Sequence, residues 1–314
     1  MEPGGHISAR AYAKVNLALA VGPPLPAGAG GGAHAGFHPI CSWMHAIDLF
    51  DELELTRLPA GESSRYDISW AADAPRPSPI DWPVEKDLCM RAHRAIEARA
   101  GRTLPLALTL RKRTPVGGGL GGGSSDAAAM IRAVDTMFDL HVSDQARAAI
   151  ARSLGSDVLF FLSAPALDQP PAAAIVSGLG DVLETVPKAR AWLALILPPM
   201  GCPTGPVYRA FDALPHAPLR EQQVRALTAG AAAHDGRVDT AGLFNDLAEP
   251  AFTVAPGLRQ IRDRAALALR RPVHVTGSGS TLFAVCESSA EAQAACDRVA
   301  AGEGTVRTLA CALV

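Results

Sequence analysis

Residues 115–130 read PVGGGLGGGSSDAAAM: six glycines around one leucine, then two serines, an aspartate and a run of alanines. Glycine loses more conformational freedom on folding than any other residue, so such a cluster needs a reason. One reason is an anion. A glycine-rich turn lets successive backbone N–H groups converge on a negative charge. A helix starting near Ser124 adds its unsatisfied N–H groups and its dipole, and Ser124 and Ser125 add hydroxyl donors. Asp126 then either complements the helix dipole or neighbours a divalent cation that accompanies phosphates. Two known loops fit less well. Gly117, Gly119 and Gly122 spell G-x-G-x-x-G, but so dense a glycine run satisfies many patterns. No acidic residue stands at a strand end about 20 residues on to hold a ribose. A Walker loop is excluded, because no Gly-Lys-Ser/Thr follows. The plainer alternative is that the glycines only permit close packing.

Other residues carry chemistry in pairs. Lys14 and Asn16 sit two apart in ISARAYAKVNLALAV (7–21), a strand, so they share one face; an edge-strand lysine would look the same. Asp157 lies between apolar runs in LGSDVLFFL (154–162). A carboxylate there needs a partner, and a helix cap or a buried ion pair would also supply one. VTGSGSTLFAV (275–285) is a second glycine turn, between two strands, with the form of a β-hairpin.

These residues need elements to hold them. LPLALTLRK (104–112) predicts a strand leading into the glycine loop. The helix after it runs to about Leu140, with Ala127, Met130, Ile131, Val134, Met137 and Phe138 on one face at the 3.6-residue period. Further helices are predicted near 85–99, 143–154, 218–230, 257–270 and 288–301. Strands are predicted within 37–55 and at AAAIVS, WLALIL and TVRTLACAL. DVLFFL reads as a short strand or a buried turn. Residues 22–36 and 71–83, rich in proline, glycine or alanine, read as loops, the first of them mobile. The 314 residues predict two lobes, 1–165 and 166–314.

Composition narrows the function. The chain is 48% hydrophobic and 19% charged, with a formal net charge of −2, so no overall basic field marks a nucleic-acid binder. Aromatics, at 5%, are too few for base-stacking platforms. The six cysteines are scattered without Cys-x-x-Cys or Cys/His metal spacing, which predicts buried thiols and no structural zinc. The N-terminus lacks a signal-peptide pattern and no apolar run is long enough to span a bilayer, so a cytoplasmic location is expected.

Together PVGGGLGGGSSDAA, AKVNLAL, LGSDVLFFL and VTGSGSTLFAV resemble, in order, the motifs of the GHMP kinase superfamily. The doubled GGGLGGGSS is most similar to the branch that phosphorylates CDP-methylerythritol in the non-mevalonate route to isopentenyl diphosphate. SGLGD (177–181) and FNDLAEPAF (244–252) match further segments of that branch. The resemblance implies an α+β, two-lobed GHMP kinase fold, with a ribosomal protein S5 domain 2-like N-terminal lobe and a ferredoxin-like C-terminal lobe. It implies ATP as co-substrate with Mg²⁺, a small-molecule acceptor, and a monomer or homodimer.

Residue by residue, it assigns Lys14 and Asp157 to catalysis and Asn16 to the acceptor. The nucleotide falls to Pro115, Val116, Gly117, Gly118, Gly119, Leu120, Gly121, Gly122, Gly123, Ser124 and Ser125, with Lys112 and Asp87 nearby. Asp87 stands where the family usually has asparagine beside the adenine, and Ser156 where alanine is commoner. In GFHPICS (36–42), Phe37 replaces the family's tyrosine and would stack on a cytosine, while His38 would bond its edge. In CPTGPVYRAFD (202–212), Thr204 and Tyr208 would complete the clamp. A homoserine or mevalonate-type acceptor carries no base to clamp. A ligand sensor without turnover would not need both Lys14 and Asp157.

Overall fold

The computed structural model describes residues 1–26, 35–215 and 217–314. The chain divides into two compact units. The first comprises Met1–Ala13, Leu49–Val116 and Gly121–Pro171; the second comprises Lys14–Asp48, Gly117–Leu120 and Ala172–Val314. The second unit thus takes in Lys14, Asn16 and the middle of the glycine loop, which the sequence reading gave to the N-terminal lobe. Two long strands, β1 (His6–Val21) and β2 (Ile40–Arg57), each run through both units. β1 is buried on both faces from Ala11 to Val21, which is why its apolar residues do not alternate cleanly.

In the first unit, β3 (Arg65–Trp70) runs parallel to β4 (Leu106–Lys112), and β4 pairs antiparallel with the C-terminal half of β2. Between them lies α1 (Leu88–Ala100), started by Asp87 and stopped at Gly101 in the left-handed region. After β4 and the glycine loop comes α2 (Gly122–Phe138), whose N-cap is Gly121. It therefore begins two residues before Ser124. Eleven of its residues are buried, from Ser125 to Phe138, so its inner stripe is wide. α3 (Asp144–Leu154) is capped by Ser143, whose Oγ accepts from the Ala146 amide at 3.3 Å. DVLFFL is neither strand nor turn but α4 (Val158–Leu162), a short helix burying Val158, Phe160 and Phe161. A five-residue apolar run carries too little periodicity to separate these states.

In the second unit, β5 (Ala174–Gly178) pairs with the N-terminal half of β2 and β6 (Val182–Thr185) pairs with β5. Then follow β7 (Trp192–Leu197), α5 (Thr204–Asp212), α6 (Glu221–Ala233), α7 (Ala248–Val254), α8 (Pro256–Leu269), β8 (His274–Val275), β9 (Leu282–Cys286), α9 (Ser289–Gly302) and β10 (Arg307–Ala312). The sheet order β10-β7-β9-β8, all antiparallel, is that of a βαββαβ ferredoxin-like layer with α5 to α7 inserted before its first crossover helix. Its core joins Ala194 and Ile196 of β7 and Leu282 and Ala284 of β9 to Leu258, Ile261 and Ala265 of α8 and Ala292, Ala295 and Val299 of α9. All six cysteines are buried and unpaired. Among the described residues, no helix is long and apolar enough to cross a membrane. Residues 27–34, most of the predicted 22–36 loop, lie outside the described residues.

Candidate active site

In the second unit, Lys14 and Asn16 do share a face and are both buried. Lys14 Nζ donates to Asn16 Oδ1 at 2.5 Å, and Asn16 Nδ2 donates to Ser42 Oγ at 2.8 Å. The Ser42 hydroxyl passes the bond to the Ala18 carbonyl at 2.9 Å, and the Asn16 amide donates to Thr276 Oγ1 at 2.9 Å. The amide of Asn16 is thus fixed by both its ends, and it orients the ammonium. An exposed edge lysine is excluded.

The middle of the glycine loop docks on this same unit through its carbonyls. Gly117 O accepts from the Cys202 amide at 3.4 Å, Gly118 O from the Thr281 amide at 3.2 Å, and Leu120 O from the Lys14 amide at 2.9 Å. In a trans peptide, each C=O and the following N–H point in opposite directions. With these carbonyls tied down, the N–H groups of Gly118, Gly119 and Gly121 are aimed the other way. That is the arrangement that receives an anion.

Both explanations of the glycines hold, at different positions. A Cβ on Gly119 would lie 2.3 Å from the Thr276 carbonyl, and φ there is +75°. Here the loop lies backbone to backbone against the second glycine turn, and only glycine fits. At exposed Gly117, φ is +68° but nothing lies within 4 Å of a Cβ, which leaves the loop's outer side open. The second turn is held in turn by Asn245 of the FNDLAEPAF segment, whose Nδ2 donates to the carbonyls of Val275 and Gly277, each at 2.8 Å. A Cβ on Gly277 would sit 3.3 Å from both Lys14 Nζ and Asn16 Oδ1, so this turn borders the lysine. Exposed Thr204, at the start of α5, has its Oγ1 3.3 Å from Ser278 Oγ of the same turn.

The aromatic residues are also in this unit. Phe37 is 57% exposed. His38 is buried, with its ring 5.1 Å from that of Tyr208 and 5.4 Å, edge-on, from that of Phe211. Its Nδ1 faces the Gly22 carbonyl at 2.9 Å and its Nε2 faces Asp212 Oδ1 at 3.0 Å. Both neighbours are acceptors, so both nitrogens are turned to protein groups. The sequence reading had the ring bonding a base edge; here the ring is anchored beside Gly22 through Nδ1, with Nε2 next to Asp212 of α5.

In the first unit, the loop's flanks meet a buried ion cluster. Lys112 Nζ lies 2.6 Å from Asp51 Oδ2 and 2.5 Å from Asp126 Oδ2. Burial pushes the Lys112 ammonium toward neutrality, but the Asp126 and Asp51 carboxylates together outweigh it and hold its pKa above the ordinary lysine value. Burial raises the Asp126 carboxyl well above its usual range, with Asp51 adding to the rise and Lys112 opposing it. Asp126 was read as a dipole complement or a metal neighbour. It is a lysine partner.

Asp87, read as lying near the adenine, spends both oxygens within the protein: Oδ1 caps α1 through the Cys89 amide at 2.8 Å, and Oδ2 accepts from the Trp82 indole at 3.1 Å. Asp157 stands at the N-cap of α4 but makes no capping hydrogen bond, so the helix-cap explanation of it fails. Ser124 Oγ approaches Gly155, two residues before Asp157, closely enough that a Cβ there would lie 3.8 Å away. Ser125 is buried and Pro115 is buried, while Val116 is exposed.

Sequence reasoning missed Ser42, Asp51, Asp212, Asn245 and Thr276. Of these, Ser42, Asp212, Asn245 and Thr276 lie inside segments it had singled out.

Comparison with known proteins bears on the whole chain. Residues 87–174 match the GHMP kinases N terminal domain, and residues 226–303 match the GHMP kinases C terminal domain. A 4-diphosphocytidyl-2-C-methyl-D-erythritol kinase from a Caulobacter species is 35% identical over 306 residues, covering 93% of each chain. One from Chlorobaculum tepidum is 30% identical over 300 residues, covering 94% of each. A crystal structure of 4-(cytidine 5'-diphospho)-2C-methyl-D-erythritol kinase superposes with a TM-score of 0.71 at 29% identity, covering 98% of both chains.

Proposed function

Because the chain belongs to the GHMP kinase superfamily and, within it, to the 4-diphosphocytidyl-2-C-methyl-D-erythritol kinase family, we propose that it transfers the γ-phosphoryl group of ATP to the 2-hydroxyl of 4-diphosphocytidyl-2-C-methyl-D-erythritol. The hydroxyl oxygen bonds to the γ-phosphorus, the bond to the β,γ-bridging oxygen breaks, and ADP leaves. The hydroxyl proton goes to Asp157. In phosphoryl transfer the bond to the leaving group loosens early, so positioning and charge neutralisation outweigh covalent help. The observation that carries the reading is that three carbonyls of the glycine loop are tied to the protein, which turns the N–H groups of Gly118, Gly119 and Gly121 the opposite way.

The remaining roles follow from the side chains. Lys14, oriented by Asn16, stabilises the charge that develops on the transferring group. Asn16 and Thr204 contact the acceptor. Phe37 and Tyr208 stack on its cytosine, with His38 next to Tyr208; this aromatic group favours a base-bearing acceptor over homoserine or mevalonate. Ser124 and Ser125 serve the phosphates. Lys112 supports the loop from its base, and Asp87 supports it by starting α1.

Magnesium arrives with the nucleotide in this proposal. Mg²⁺ is commonly bound through substrate phosphates with few protein ligands; one oxygen of the first-turn Asp126 carboxylate faces Lys112. The unpaired, buried thiols fit a reducing cytoplasm.

The test is product analysis. With ATP, Mg²⁺ and 4-diphosphocytidyl-2-C-methyl-D-erythritol, ³¹P NMR should show a new phosphomonoester in step with ADP. ADP formation without a new ester would make the chain an ATPase and defeat the reading.

A further inference from the structure

The glycine loop closes on itself at its base. A Cβ on Gly122, where the loop ends, would lie 2.8 Å from Thr114 Cγ2 and 2.9 Å from Thr114 Cβ, where it begins. The φ of Gly122 is not in the left-handed region, so its need for glycine is steric. Beside this contact lies Asp51, fully buried on β2. Its Oδ1 accepts from the backbone amides of Arg113 at 2.5 Å and Thr114 at 2.7 Å. Its Oδ2 accepts from Lys112 at 2.6 Å, and Lys112 reaches on to Asp126 in the first turn of α2 at 2.5 Å.

One carboxylate thus grips both sides of the loop's base: directly through two amides on the incoming side, and through Lys112 on the outgoing helix. Four charge-assisted hydrogen bonds in a dry site form a rigid brace. Compact loops whose ends are held together in this way keep their conformation with little internal structure.

We propose that Asp51 is a positioning residue for the nucleotide: by cross-bracing Lys112, Thr114 and Asp126 it fixes the glycine loop in its anion-receiving shape and so sets the affinity for the triphosphate. This deepens the kinase reading and rests on it. Asp51 touches no substrate; it acts on the phosphates through the loop. Its removal therefore weakens binding of the phosphates and not of the nucleoside.

The experiment is calorimetric binding of a non-hydrolysable ATP analogue and, separately, of adenosine to the wild-type protein, to Asp51→Asn and to Gly122→Ala. Asp51→Asn keeps an oxygen for the two amides but removes the negative charge that faces Lys112. Gly122→Ala leaves every charge in place and wedges the base apart. In both variants the analogue should bind about tenfold or more weakly while adenosine stays within about twofold. A folded Asp51→Asn with wild-type affinity for the analogue, or equal losses for analogue and adenosine, would overturn the positioning role. Should Asp51→Asn fail to fold, Gly122→Ala decides by the same two readings. No binding of the analogue to the wild-type protein would instead strike at the kinase reading itself.

Discussion

Lys112 and Lys14 are both buried to the same degree, at 3% exposure, and their surroundings differ sharply. Lys112 lies between two carboxylates, which hold it charged against the pull of burial. Lys14 bonds a neutral amide oxygen, in a network continued by the hydroxyls of Ser42 and Thr276. In the first case the charge is neutralised inside the protein and serves structure. In the second, the bond to Asn16 orients the ammonium beside the second glycine turn. His45 marks a third case. It is fully buried, and burial first, then the nearby positive charge of Lys188, lowers its pKa from 6.5 to about 3, so it stays neutral. Burial alone favours the neutral form, as at His45; a pair of carboxylates overrides it at Lys112.

This contrast can be broken by substitution. The largest effect belongs to the chemistry itself. Asp157→Asn should lower kcat by about 10²–10⁴-fold while ATP still binds, as loss of a general base does; near wild-type turnover would remove Asp157 from catalysis. The two lysines should then separate. Lys112→Met leaves two carboxylates buried without their cation and should cost about 3–5 kcal/mol of stability in urea unfolding. Lys14→Met should lower kcat by about 10²–10³-fold. Near wild-type turnover in that variant would remove Lys14 from catalysis.

A smaller effect is expected at the aromatic cluster. His38→Ala should raise KM for the cytidylyl substrate about tenfold and leave that for ATP unchanged; an equal rise in both would contradict the assignment. The smallest concerns His45. Above pH 6.5 it is neutral folded or unfolded, and stability does not depend on it. Between 6.5 and about 3 the unfolded chain takes up a proton that the native site refuses, so stability falls as pH falls, by about 1.4 kcal/mol per unit. His45 Nε2 accepts from the Ala189 amide at 2.9 Å, so His45→Gln offers that amide another acceptor and should flatten this slope by about one proton. An unchanged slope would show that acid acts elsewhere.

What was legible in the sequence was local. The strand at 7–21, the strand–loop–helix around 104–138 and the helix near 143–154 carry their signals in adjacent residues, and the structure has them. β3 went unread although Tyr66, Ile68 and Trp70 of RYDISW alternate with polar residues; the strand is only six residues long and pairs with β4 alone. α5 was hidden by Pro203 and Pro206, which sit at its N-cap and first turn, where proline is tolerated. Within the site, Lys14, Asn16 and the loop belong to motifs and could be found. Asp51 could not, since it meets Lys112 across 61 residues; Asn245 lay in a motif, but its contact with Gly277 across 32 residues was not legible. The same long-range pairing explains Asp126: its first-turn position suggested a dipole or a metal, and only folding supplied Lys112.

The central claim is that this chain phosphorylates a cytidylyl-bearing alcohol. Comparing kcat/KM for 4-diphosphocytidyl-2-C-methyl-D-erythritol, homoserine and mevalonate at saturating Mg-ATP tests it most directly. The account predicts a preference of about 10³-fold or more for the cytidylyl substrate, since a site built around a base loses its main contacts when none is present. Equal or better turnover of either small alcohol would contradict it.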